Sequence, residues 1–213
     1  MNRRHQYQLP VPLAGFENIN RYWDKRWNIP TAKILPGQFY VSTQGEMIST
    51  VLGSCISACI RDKNTKIGGM NHFMLPAQRD INNGPAKATE LNSSMRYGNW
   101  AMEYLINEIL KQGGSKCNLE IKLFGGGQVL QNMTNIGKRN IDFVRKYLIN
   151  ENLHIIAEDL GDIYPRKVLY FSDSGAVKMK KLRSLHNNTI QQRETEYIQS
   201  INRKPTQGTV ELF

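Results

Sequence analysis

The chain has 213 residues, 40% of them hydrophobic and 22% charged, with a net charge of +10; that is enough for one well-buried core and short for two full domains. No apolar run approaches the ~20 residues of a membrane-spanning helix. The basic start MNRRHQYQLPVPLAG has no apolar stretch behind it, so neither membrane insertion nor a secretory signal is expected. Residues 1–36 carry six basic and two acidic side chains and residues 178–213 seven and three, whereas 37–177 carry fifteen and thirteen. The positive excess therefore sits at the two ends, where it favours acidic partners. No aromatic-basic motif accompanies it, and nucleic acid is not an expected partner. Three cysteines are an odd number and too few for a disulfide framework, which fits a reducing, cytoplasmic setting and leaves a thiol free.

In chain order, residues 1–36 read as an N-terminal extension that packs through Phe16, Tyr22, Trp23 and Trp27 and is closed by Pro30, Pro36 and Gly37. Phe39–Ser42, Met47–Leu52, Ile56–Ile60 and Ile67–Leu75 are strand-like runs, with Arg61–Lys66 as a hairpin turn. Residues 77–87 form a polar loop. Leu91, Met95, Met102, Leu105 and Ile109 recur at near-helical spacing, and Gly113–Gly114 stop that helix. A strand at Leu119–Phe124 runs into three glycines. Asn135 caps a second helix, in which Ile141, Val144 and Leu148 share a face. Strands at His154–Ala157, Val168–Ser172 and Val177–Leu182 follow. Residues 186–213 are a polar tail, either a loosely attached helix or disordered. The pattern predicts a single α+β domain over 37–185, a layered, mostly antiparallel β-sheet with two main helices packed outside.

The candidate chemistry lies between Ser49 and Pro76. A hairpin centred between Lys63 and Asn64 pairs Ile60 with Ile67, and by the same register Cys55 with His72. Directly opposed residues share a face with Cβ atoms about 4.5–5.5 Å apart. A thiol beside an imidazole is the minimum apparatus for covalent catalysis on an amide or ester. The Gly53–Ser54 turn gives backbone N–H groups room to converge on an oxyanion, and Ser49 and Thr50 are the nearest hydroxyls able to orient the ring. The plainer alternative makes the cysteine a small buried apolar residue, a description expected of Cys59 and Cys117, and the histidine a structural one. The spacing C-x3-C-x12-H lacks a second histidine, since residues 76–78 are Pro76, Ala77 and Gln78, so no metal is expected. FGGGQ at 124–128 lacks the Lys-Ser/Thr of a phosphate-binding loop, and a tight turn or close backbone packing beside the site is its expected role.

TVLGSC at 50–55, GGMNHFMLP at 68–76, KLFGGG at 122–127, IGKRN at 136–140, and EDLGD with PRKV between 158 and 168 stand in an order that resembles the CheD family, the chemoreceptor glutamine deamidases of bacterial chemotaxis. The resemblance covers roughly residues 38–183. It implies a cytoplasmic protein-glutamine glutaminase without cofactor, acting on the cytoplasmic helices of chemoreceptors. Carried over position by position, Cys55 is the nucleophile and His72 the base. The third member is open, because Thr50 has the family's residue type while a gap-free count from the cysteine reaches Ser49. Asp162 stands where a second glycine is common, and FSDSG at 171–175 is a variant turn. The same resemblance implies a rival role, a non-catalytic adaptor that binds and regulates a CheC-type phosphatase. A transglutaminase or thiol protease shares the nucleophile and differs in what is released.

Overall fold

Short runs of β-branched and aromatic residues, punctuated by glycine, proline and asparagine, favour pleated strands and tight turns over long helices. The computed structural model describes residues 8–76, 88–129, 135–183 and 188–203. The expected loop at 77–87 and the outermost ends, 1–7 and 204–213, lie outside them. Strands β1 (Asn20–Asp24), β2 (Ile29–Lys33), β3 (Phe39–Ser42), β4 (Met47–Leu52), β5 (Ile56–Asp62), β6 (Gly68–Asn71), β7 (Leu119–Gly125), β8 (Ile155–Leu160), β9 (Arg166–Phe171) and β10 (Val177–Lys181) form two five-stranded sheets. Their orders are β1-β2-β4-β9-β10 and β3-β6-β5-β7-β8. Only β2/β4 and β7/β8 run parallel.

The helices α1 (Ala88–Lys111) and α2 (Ile136–Asn150) cover the second sheet, α1 over β3, β5 and β6 and α2 against β5 and α1. Met102, Leu105 and Ile109 of α1 and Val144 and Leu148 of α2 enter one core with Ile48 and Leu52 of β4 and Ile56 and Ile60 of β5. The single α+β domain with helices outside the sheets is as expected. Asn135 takes the N-cap position of α2, although its side chain makes no capping hydrogen bond.

Two features differ from expectation. Residues 20–33 form a hairpin whose second strand joins β4, so this part of the N-terminal segment is built into a sheet. A buried ion pair fastens it: Arg21 Nη2 lies 2.6 Å from Glu46 Oε1, and Tyr40 and Ser42 donate their hydroxyl hydrogens to the other oxygen at 2.6 and 3.1 Å. The 56–73 hairpin is also displaced from the expected register. Cys59 faces Met70, Ile60 faces Gly69 and Ile56 bridges Phe73, which moves every partner by two residues. The reason is the turn. Asp62 stays in the ladder through Asp62 N–H to the Ile67 carbonyl at 2.9 Å, and its carboxylate accepts the N–H groups of Asn64 and Thr65, so the loop shrinks to 63–66. Lys66 closes it with a φ of 62°.

Candidate active site

The chain passes from one sheet to the other through Gly53, Ser54 and Cys55, between the end of β4 and the start of β5. Cys55 thus sits where a sharp bend is forced, and three backbone contacts fix it there. Gly126 N–H donates to the Cys55 carbonyl at 2.7 Å, Gly127 N–H to the Gly53 carbonyl at 2.8 Å, and Asn140 of α2 donates its side-chain amide to the Ser54 carbonyl at 2.8 Å. The glycine run is therefore a brace for the cysteine turn, the expected close packing. At Gly125, φ is +116° and an added Cβ would lie 2.0 Å from the Cys55 carbonyl oxygen. Behind the brace, buried Arg166 binds Asp159 and the Tyr164 and Gly161 carbonyls, which accounts for the EDLGD and PRKV motifs. Gly125→Ala is expected to cost about 3 kcal/mol or more in urea unfolding, from strain plus collision. Gly113→Ala, at φ +104° with nothing within 4 Å of the new Cβ, isolates the strain and should cost about 1–2 kcal/mol.

His72 follows β6, its N–H given to the Gln38 carbonyl at 2.9 Å and its carbonyl accepting Gly37 N–H at 2.7 Å. Cys55 and His72 each precede one member of the Ile56–Phe73 pair, so they lie on one face as diagonal rather than direct neighbours. The expected pairing is corrected by two residues, and an even slip keeps the face. Thr50 Oγ1 is 2.8 Å from His72 Nδ1 and 2.9 Å from the Ile34 carbonyl oxygen. Thr50 has one hydroxyl hydrogen. The Ile34 carbonyl can only accept, so that hydrogen is committed to it, and Nδ1–H must donate to Oγ1. The lone pair then belongs to Nε2, which is buried without a hydrogen-bond partner among the described residues. Ser49, next to Thr50 in β4, projects to the opposite face of the strand; the hydroxyl in contact with the ring is that of Thr50.

The third feature comes from the polar tail. Helix α3 (Asn188–Arg203) lies across the site. Glu194 is 2% exposed and places its carboxylate on the cysteine turn. It accepts Gly53 N–H at 3.0 Å, Ser54 N–H at 3.0 Å and Cys55 N–H at 3.2 Å, with the Ser54 hydroxyl at 2.7 Å. Successive backbone N–H groups converging on one anion form a nest, and the expected oxyanion site thus holds an oxyanion. Sequence reasoning missed Glu194. Thr50, His72, Ile190 and Glu194 line one cavity of about 260 Å³.

With α3 in place the pair is uncharged. Burial, then the charge of Glu194 and the thiol's hydrogen bond to it, hold Cys55 well above the usual 9.0. Burial pushes His72 from 6.5 down to about 3. In the unfolded chain His72 takes its proton first, so the stability present above pH 6.5 is lost as pH falls from 6.5 toward 3. Between pH 7 and 5 this group should cost the fold about 2 kcal/mol. Chemical denaturation at both pH values should show that loss in the native chain and a smaller one in His72→Gln.

Cys59 is buried as expected, whereas Cys117, expected to be buried, is exposed in a short 3-10 turn at Lys116–Asn118. Among the described residues no cluster of three or more His, Cys, Asp or Glu side chains has metal-binding geometry, and no helix is long and apolar enough to cross a membrane.

Comparison with known proteins finds relatives along nearly the whole chain. A family model described as CheD chemotactic sensory transduction matches residues 74–181. The chain is 50% identical over 212 residues to the probable chemoreceptor glutamine deamidase CheD of Halorhodospira halophila, covering 99% of this chain and 97% of that one. It is 48% identical over 215 residues to the protein of that name from Hahella chejuensis, covering both in full, and 53% identical over 205 residues to the one from Methylobacillus flagellatus, covering 95% and 98%. The matched span of the family model begins after His72, whereas these relatives align over nearly all of the chain.

Proposed function

The chain belongs to the CheD family, and from that premise we propose that it is a cysteine-dependent protein-glutamine deamidase that converts glutamine side chains of chemoreceptors to glutamate in the cytoplasm. The observation that carries this reading is the cavity lined by His72, by Thr50 hydrogen-bonded to its ring, and by Glu194, whose carboxylate fills the N–H nest at Cys55.

In this reading His72 Nε2 takes the Cys55 proton as the sulfur attacks the glutamine carboxamide carbon. The resulting oxyanion accepts the N–H groups of Gly53 and Cys55, the two that share one oxygen of Glu194. The imidazolium, held by Thr50, returns its proton to the departing nitrogen; the C–N bond breaks and ammonia leaves a thioester on Cys55. Nε2 then takes a proton from water, hydroxide attacks the thioester, and collapse expels the Cys55 thiolate, which recovers the proton from His72. Glutamate is released. Thr50 keeps the ring in the tautomer that makes Nε2 the base.

The test is a receptor cytoplasmic fragment incubated with the full chain and digested for mass spectrometry. The reading expects discrete glutamines to gain about one dalton as NH2 is exchanged for OH, with ammonia released and no crosslink or cut chain. Absence of the gain at every receptor glutamine would overturn it. Binding of a CheC-type phosphatase, also implied by the family resemblance, is separated by the same assay: an adaptor retains its partner and produces no glutamate.

A further inference from the structure

The carboxylate in the nest comes from the chain itself and from a helix. Helix α3 turns one face inward: Gln191 donates its side-chain amide to the Val129 carbonyl at 2.7 Å, Glu194 fills the nest, Tyr197 meets Tyr97 of α1 hydroxyl to hydroxyl, and Ile198 is 3% exposed. These positions lie at 191, 194, 197 and 198, the spacing of a single helical face. The face is carried by a carboxylate at its centre, an arrangement that helix burial alone does not call for. Gly53 also makes room for this side chain and for Val129, since a Cβ there would lie 2.6 Å from Val129 Cγ2 and 2.7 Å from Glu194 Oε1. On the same cavity wall, His72 Nε2 is buried with no hydrogen-bond partner among the described residues.

A glutamate side chain is also the product of glutamine deamidation, differing from the substrate by OH for NH2. We propose that the groove filled by α3 is the docking groove for the substrate helix, and that α3 is its resident occupant, with Glu194 standing where the side chain of the reacting glutamine goes. This rests on the deamidase reading and extends it. The enzyme receives its glutamine from a helix, seated by the N–H groups of residues 53–55 and by contacts about one turn to either side. The receptor helix must displace α3, and until then α3 masks Cys55. A site whose competent form is a minor population binds more weakly in proportion to that fraction.

Two variants of the full chain test this. Glu194→Ala leaves the nest unfilled, and alkylation of Cys55 by iodoacetamide, followed by peptide mass spectrometry, should speed up about tenfold or more over the native chain. The initial rate of glutamate formation on the receptor fragment should rise with it, mainly through a lower KM. Glu194→Gln is close to isosteric and presents a carboxamide to Cys55: its oxygen can still accept Gly53 and Cys55 N–H, while its NH2 gives up the Ser54 N–H bond and faces the Ser54 hydroxyl, which can accept. Residue 194 should revert to glutamate with the mass gain of about one dalton, and the Cys55→Ala/Glu194→Gln chain should not revert. Unchanged alkylation in Glu194→Ala, together with a stable glutamine at 194 in a chain that deamidates the receptor fragment, overturns the docking proposal and leaves the deamidase reading standing. Accelerated alkylation with no glutamate formed by any variant upholds the masking role of α3 and overturns the deamidase reading.

Discussion

Cys55→Ala is expected to abolish glutamate formation on a receptor fragment, a loss of about a thousandfold or more, while the protein stays folded. In the proposed mechanism the sulfur is the group that bonds to the substrate carbon, and alanine supplies no nucleophile in its place. The backbone that shapes the nest does not depend on the sulfur: Cys55 N–H still faces Glu194, and the carbonyl of residue 55 still accepts Gly126 N–H. Losing one buried sulfur should change stability by about 1–2 kcal/mol. Cys59→Ala is the control. Cys59 is equally buried and pairs with Met70 and Lys122 within its sheet, so the same atomic deletion should cost similar stability and leave the deamidation rate within about twofold. If the two variants lost activity alike, the effect would belong to the fold and not to the thiol.

The second large effect is expected at His72. His72→Gln removes the proposed general base and should lower kcat by about a hundredfold to ten-thousandfold. The hydroxyls of β4 then separate by face. Thr50→Val keeps the shape of the side chain but leaves Nδ1–H without its acceptor and frees the ring, for an expected loss of about tenfold to a hundredfold in kcat with little change in KM. Thr50→Ser retains the oxygen and should retain most of the rate. Ser49→Ala, on the opposite face of the strand, should be within about twofold of the native chain. A larger loss in Ser49→Ala than in Thr50→Val, measured as kcat on the receptor fragment, would reverse the assignment of the positioning hydroxyl.

The parts of this arrangement readable from sequence are those set by local pattern. Met47–Leu52 is rich in β-branched residues, Ile48, Thr50 and Val51, and lies between Gly45 and Gly53, so its strand is legible at both ends. The shared face of Cys55 and His72 survived a wrong register because the error was even. The size of that error was hidden in Asp62, whose carboxylate tightens the loop in a way that alternation does not reveal. The choice between Ser49 and Thr50 needed β4 to be placed against the loop that carries Ile34. The hairpin at 20–33 was obscure because IPTAK has no apolar alternation and contains a proline, which a strand accepts here before it joins β4 at Thr31. Helix α3 was obscure for a deeper reason. Its inward face is anchored by Gln191 and Glu194 as well as by Ile198, and a search for an apolar stripe discards a helix that docks by filling a nest of N–H groups.

The central claim is covalent: Cys55 carries the glutamyl group between loss of ammonia and attack of water. The most direct measurement is the intact mass of the full-length chain, quenched in acid during turnover of a glutamine-bearing receptor peptide. The account predicts a species equal to enzyme plus peptide less one ammonia, mapped to Cys55 and cleared by hydroxylamine. Glutamate formed at the native rate by Cys55→Ala, with no such species in the native chain, contradicts it.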